Sequence, residues 1–91
     1  MNKIIGHIKW ESKTVLLAKR IYLFCFDEKC MSGRITDLKE LPSTNQFEIR
    51  VNFIEPKYFE KEMIRGNYFT VREASKILGQ GSIMEVVNSL P

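Results

Sequence analysis

Between Gln46 and Phe53 the chain alternates without a break, with Phe47, Ile49, Val51 and Phe53 on one side and Gln46, Glu48, Arg50 and Asn52 on the other. Side chains of an extended strand point to opposite faces in turn, so this spacing predicts a half-buried strand, ended by Pro56. From Lys3 to Trp10, residues Ile4, Gly6, Ile8 and Trp10 make one face while His7 and Lys9 point the other way, predicting a second strand. Phe69 and Val71 alternate with Tyr68, Thr70 and Arg72; after a polar turn over residues 73–76 a further run starts at Ile77. This is the pattern of a hairpin. Gly79 and Gly81 interrupt its second arm, and glycine inside a strand marks a bulge, a bend or the close approach of another backbone.

Two stretches carry no alternation. Ile21 to Phe26 is continuously apolar and aromatic, the signature of a strand covered on both faces or of one whose outer face meets a partner. Thr14 to Ala18 is a shorter apolar run that reads as another strand. Asp27-Glu28-Lys29 reads as a turn, Met31 to Leu38 continues with Gly33 inside it, and Pro42-Ser43-Thr44-Asn45 reads as loop. Helical spacing occurs only over residues 57–65, where Phe59 and Met63 lie four apart; one or two turns of helix are expected there, as a lid on one end of the fold. The sum is one all-β domain over residues 1–91: a small closed antiparallel β-barrel of six or seven strands.

Composition narrows the function classes. The chain has 91 residues, 44% hydrophobic and 27% charged, which suits one small globular domain. No apolar run approaches the roughly 20 residues of a membrane span, and residues 1–5 are not followed by the apolar core of a signal peptide. The expectation is a cytoplasmic protein without a membrane partner. The net charge of +3 leans towards anionic partners, but the Lys and Arg residues are scattered among carboxylates along the sequence. Cys25, between Phe24 and Phe26, reads as a buried thiol and Cys30 as an exposed one in a turn; with His7 the only histidine, no zinc site is expected. His7 has no acidic neighbour in sequence, and Gly79-Gln80-Gly81 lacks the Lys-Ser/Thr of a phosphate-binding loop. No catalytic residue, metal, nucleotide or other cofactor is expected.

The closing stretch Gly66-Asn67-Tyr68-Phe69-Thr70-Val71-Arg72-Glu73-Ala74-Ser75-Lys76-Ile77-Leu78-Gly79-Gln80-Gly81 resembles the last hairpin of the third domain of elongation factor Tu. Gly66, Phe69, Arg72, Glu73, Gly79 and Gly81 stand in register with that family without a gap, and Val71, Lys76 and Leu78 are conservative replacements. Upstream, Phe24-Cys25-Phe26 is similar to its Phe-Tyr-Phe strand, Ser32-Gly33-Arg34-Ile35 to its Thr-Gly-x-Ile, and Phe47 to Pro56 to the strand ending in Ile-x-Pro. The resemblance implies the C-terminal β-barrel of the elongation factors, without the GTPase domain, and a surface that meets other protein domains and the T-stem of tRNA. The chain departs from the pattern at several places. Ala74-Ser75 replace a glycine pair, Ile21-Tyr22-Leu23 stand where the family has Arg-Pro-Gln, Glu55 precedes the proline, and a Pro-Gly-Asp loop is missing.

Two non-catalytic readings follow. The first in order is a protein-interaction module, as a homodimer or with another protein, through Ile21, Tyr22, Tyr58, Met63 and Ile64; Leu23 and Phe59 are expected in the core. The alternative is contact with structured RNA in a translation-related role through Arg20, Ser32, Arg34, Arg72 and Lys76, with Glu73 kept at the hairpin tip.

Overall fold

A computed structural model describes residues 2–88. Six strands run β1 (Asn2–Trp10), β2 (Ile21–Phe26), β3 (Lys29–Glu40), β4 (Gln46–Phe53), β5 (Tyr68–Glu73) and β6 (Lys76–Asn88), with one 3-10 turn over Pro56–Phe59. They close into an antiparallel barrel in the order β1-β4-β3-β2-β5-β6. The barrel expected from the alternation is therefore present with six strands.

Closure explains why Thr14 to Ala18 is not a seventh strand. β1 is already flanked by β4 and β6, and β2 by β3 and β5, so no strand edge is left for it to pair with. The segment crosses one mouth of the barrel as irregular chain, and Leu16 alone turns inward, 5% exposed. Beneath it Trp10 and Tyr22 meet edge to face, ring centroids 5.8 Å apart. The opposite mouth is closed by Phe59, fully buried against Phe26 and Phe53 at 4.8 and 5.0 Å between centroids. Helix is confined to the turn that delivers Phe59, shorter than the 57–65 segment.

The wall is pinned by close contacts that only glycine permits. A Cβ at Gly81 would lie 2.1 Å from the His7 carbonyl oxygen, and one at Gly79 would lie 2.8 Å from that of Lys9. The reading of these glycines as places of close backbone approach holds. β3 begins at Lys29 and ends at Glu40, overrunning the expected Met31 to Leu38 at both ends because β2 and β4 supply partners along its whole length.

The cysteines need correction. Cys25 and Cys30 are directly opposite in the β2–β3 ladder and form a disulfide, Cα atoms 4.1 Å apart. A turn reading of residues 27–29 does not reveal this. Only the tight pairing of Phe26 with Lys29, one residue inside the cysteines, brings the two sulfurs together.

Candidate binding surface

On β2 the inward side chains are Tyr22, Phe24 and Phe26, which leaves Ile21, Leu23 and Cys25 on the outer wall. The register then fixes their neighbours. Arg34 of β3 lies opposite Ile21, Ser32 opposite Leu23, and on the other flank Arg72 of β5 also lies opposite Leu23. Beyond Arg72 comes Ile77 of β6, and Lys76 pairs with Glu73 at the hairpin. Arg20, just before β2, donates from Nη2 to Glu73 Oε2 at 3.1 Å, and its guanidinium carbon is 5.2 Å from the Tyr22 ring centroid. Arg72 Nε donates to Thr70 Oγ1 at 2.9 Å, which holds the side chain along its own strand.

The six residues expected to face RNA thus converge on one surface formed by β3, β2 and the β5–β6 hairpin. The protein-interaction set does not converge. Tyr22 is a core residue, 4% exposed, and its hydroxyl accepts the backbone N–H of Leu17 at 3.1 Å, so it cannot anchor a partner. Met63 is half-buried against the core. Tyr58 and Ile64 are exposed, but on the connection over the Phe59 mouth, at the far end of β2 from Ile21. Leu23, expected in the core, is half-buried on the outer wall; Phe59 is in the core as expected.

Charge scattered in sequence is gathered in space. Around the Leu16 mouth, which the β3–β4 hairpin also borders, and along the adjoining wall, over residues 11–21, 32–46 and 70–77, seven cations (Lys13, Lys19, Arg20, Arg34, Lys39, Arg72, Lys76) stand against four carboxylates (Glu11, Asp37, Glu40, Glu73). Two of these carboxylates are engaged: Glu73 by Arg20, and Glu11 by Gln80, whose Nε2 donates to Oε1 at 2.6 Å. The rest of the chain carries seven cations and seven carboxylates. Exposed aliphatic side chains accompany the positive end: Val15 is 73% exposed, and Leu17, Ile21 and Ile77 about half exposed. Of these only Ile21 was singled out from the sequence. Val15 and Leu17 were hidden inside an apolar run that reads as a strand, although Lys13 and Lys19-Arg20 flank it on both sides.

The opposite wall holds the one histidine. His7 Nε2 lies 3.1 Å from Glu48 Oε1 across the β1–β4 pair, so it does have an acidic partner, supplied by register rather than by sequence proximity. Ser82 of β6 is its neighbour on the other side. Hydroxyl, imidazole and carboxylate therefore stand in one row, but among the described residues no hydrogen bond joins Ser82 to His7. Among the described residues there is no group of three or more metal-ligating side chains, and no helix is long and apolar enough to cross a membrane. Compared with protein-family models and with curated proteins, the chain matches none.

Proposed function

We propose that this chain is a non-catalytic binding module resembling the C-terminal barrel of elongation factor Tu, and that its partner is structured RNA. The observation that carries the reading is the convergence of Arg20, Ser32, Arg34, Arg72 and Lys76 on one wall, in the half of the molecule that holds the excess positive charge. Phosphate neutralisation by such a wall releases counterions and gives binding that weakens with salt. Two features temper the affinity. Arg20 is shared with Glu73, and Arg72 with Thr70, so each must give up a contact to reach a phosphate.

The test is a titration with bulk tRNA and with a DNA duplex across a range of salt. The reading expects preference for tRNA at physiological salt. Arg34→Glu with Arg72→Glu should lower the magnitude of the log–log salt slope by about 1 for each phosphate contact removed. Equal, salt-erased binding to both nucleic acids would count against it. A second reading, docking of a protein on the same wall, is favoured by Ile21, Leu23 and Ile77, which lie among the cations as an apolar centre lies within a polar rim. Ile21→Asp should then matter more than the charge reversals.

A further inference from the structure

RNA contact leaves the most exposed side chains of the positive end without a role. Val15 and Leu17 flank the buried Leu16 on the segment across the barrel mouth, and both face solvent, Val15 at 73% and Leu17 at 47%. Bases stack on aromatic or guanidinium planes, which aliphatic side chains do not offer. Leu and Val are also under-represented among protein hot spots, where Trp, Tyr and Arg dominate. Self-association through this end would set a surface of seven cations and four carboxylates against its own copy, a contact of net like charge. Among the described residues no salt bridge holds Lys13, Lys19 or Lys76.

We propose that the Leu16 end of the barrel docks on an anionic lipid surface. Val15 and Leu17 enter the boundary between headgroups and acyl chains, with Ile77 of the adjoining β5–β6 hairpin, and Lys13, Lys19, Arg20 and Lys76 lie against the headgroup phosphates and carboxylates. The complement of exposed aliphatic carbon with cations beside it is a layer with negative charge outside and hydrocarbon within. A surface contact of this kind needs no membrane-spanning segment. The proposal shares Arg20 and Lys76 with the RNA reading and differs from it in Val15, Leu17, Lys13 and Lys19 of the loop over the mouth, which that reading leaves unused.

Trp10, the only tryptophan, sits directly under this loop, its Nε1 donating to the Thr14 carbonyl at 2.6 Å, and makes a built-in reporter. The experiment is co-sedimentation of the full chain with phosphatidylcholine vesicles, with and without phosphatidylserine, together with quenching of Trp10 by brominated phosphatidylcholine in the same vesicles. Binding to the serine-containing vesicles, with quenching, is expected at low salt, and much weaker binding to the neutral ones. Val15→Asp with Leu17→Asp should abolish both signals. Lys13→Glu with Lys19→Glu should weaken binding to anionic vesicles by about 30-fold or more. Tyr58→Ala, at the other end, should change neither. All four positions in the double variants are exposed, and circular dichroism checks that the variants keep the fold.

Three outcomes overturn the proposal. One is absence of binding to anionic vesicles at low salt. Another is a Val15→Asp/Leu17→Asp variant that binds as well as the parent, which would reduce the effect to bare electrostatics. The third is a parent that sediments alone as a dimer and a variant that is monomeric, which would assign the aliphatic side chains to self-association. Titration of tRNA with the Val15→Asp/Leu17→Asp variant keeps the two readings apart, since loss of vesicle binding with RNA binding intact concerns this proposal alone.

Discussion

Where β2 turns into β3, a phenylalanine closes the barrel; where β5 turns into β6, a leucine does. Phe59 is fully buried in an edge-to-face cluster with Phe26 and Phe53, and the cross-strand disulfide Cys25–Cys30 staples the adjoining hairpin. Above it Lys29 donates to Glu62 at 3.0 Å and lies 4.7 Å from the Tyr58 ring centroid. The charge at this end, over residues 27–29 and 54–67, comes to four cations and five carboxylates. The Leu16 end has one aliphatic plug, an ion pair in place of a staple, and a surplus of cations beside exposed aliphatic side chains. Both ends expose apolar side chains, Ile54, Tyr58 and Ile64 among them at the Phe59 end. Only at the Leu16 end do such side chains stand beside surplus positive charge, the combination that suits an anionic partner.

If the Phe59 end is the stabilising one, truncating its plug should cost more than truncating the other. Phe59→Ala should lower stability by about 3–5 kcal/mol, by lost transfer energy plus a cavity between Phe26 and Phe53. Leu16→Ala should cost about 2–3 kcal/mol, at the low end for a leucine, because an irregular loop can settle onto the gap more readily than a β-wall. Urea midpoints of the two variants and the parent measure both. Equal losses, or a larger one at Leu16, would remove the distinction between the ends.

The asymmetry is where legibility in the sequence changes. Strands whose sides meet different environments announced themselves: Gln46 to Phe53 and Lys3 to Trp10 alternate because one face meets the core and the other water. Ile21 to Phe26 does not alternate, since its outer positions Ile21, Leu23 and Cys25 are apolar too, so Tyr22 could be read as surface although its ring lies inside. Thr14 to Ala18 has strand composition and no strand to pair with, a fact of barrel closure that no local window contains. The disulfide, the His7–Glu48 pair and the gathered cations share one cause. Each depends on register between segments distant in sequence or across a turn, and register is set by the whole barrel.

The staple is the next difference between the ends. Opening Cys25–Cys30 frees a loop of only a few residues in the unfolded chain, and chain-entropy arguments assign about 2 kcal/mol to a loop that short. The expected outcome is a lower urea midpoint with reductant than without, and no such effect in a Cys25→Ala/Cys30→Ala variant. Thiol titration of the unfolded protein checks the premise, because two free thiols in the unreduced sample would contradict the bond. In a reducing compartment the two sulfurs are thiols, and the lower figure is then the relevant one.

The smallest effect is at the tips of the two hairpins, which share a backbone and differ in chemistry. Asp27 at one tip and Ala74 at the other each take positive φ, 55° in both, at the first of two turn residues. Aspartate tolerates the left-handed region better than most residues, because its short polar side chain can bond locally; alanine has only a Cβ that crowds the following carbonyl. Replacing Ala74 by glycine relieves that contact, at about 1–2 kcal/mol, and returns part of it as added freedom of the unfolded chain, at about 0.4–1 kcal/mol. The two terms oppose each other, so Ala74→Gly should stabilise by at most about 1.6 kcal/mol, while Asp27→Gly should be neutral or slightly unfavourable. Thermal unfolding of the two variants measured side by side reads the difference. A lower midpoint for Ala74→Gly than for the parent would mean that Ala74 is not strained, and that the Leu16 end gives up nothing at its hairpin relative to the stapled one.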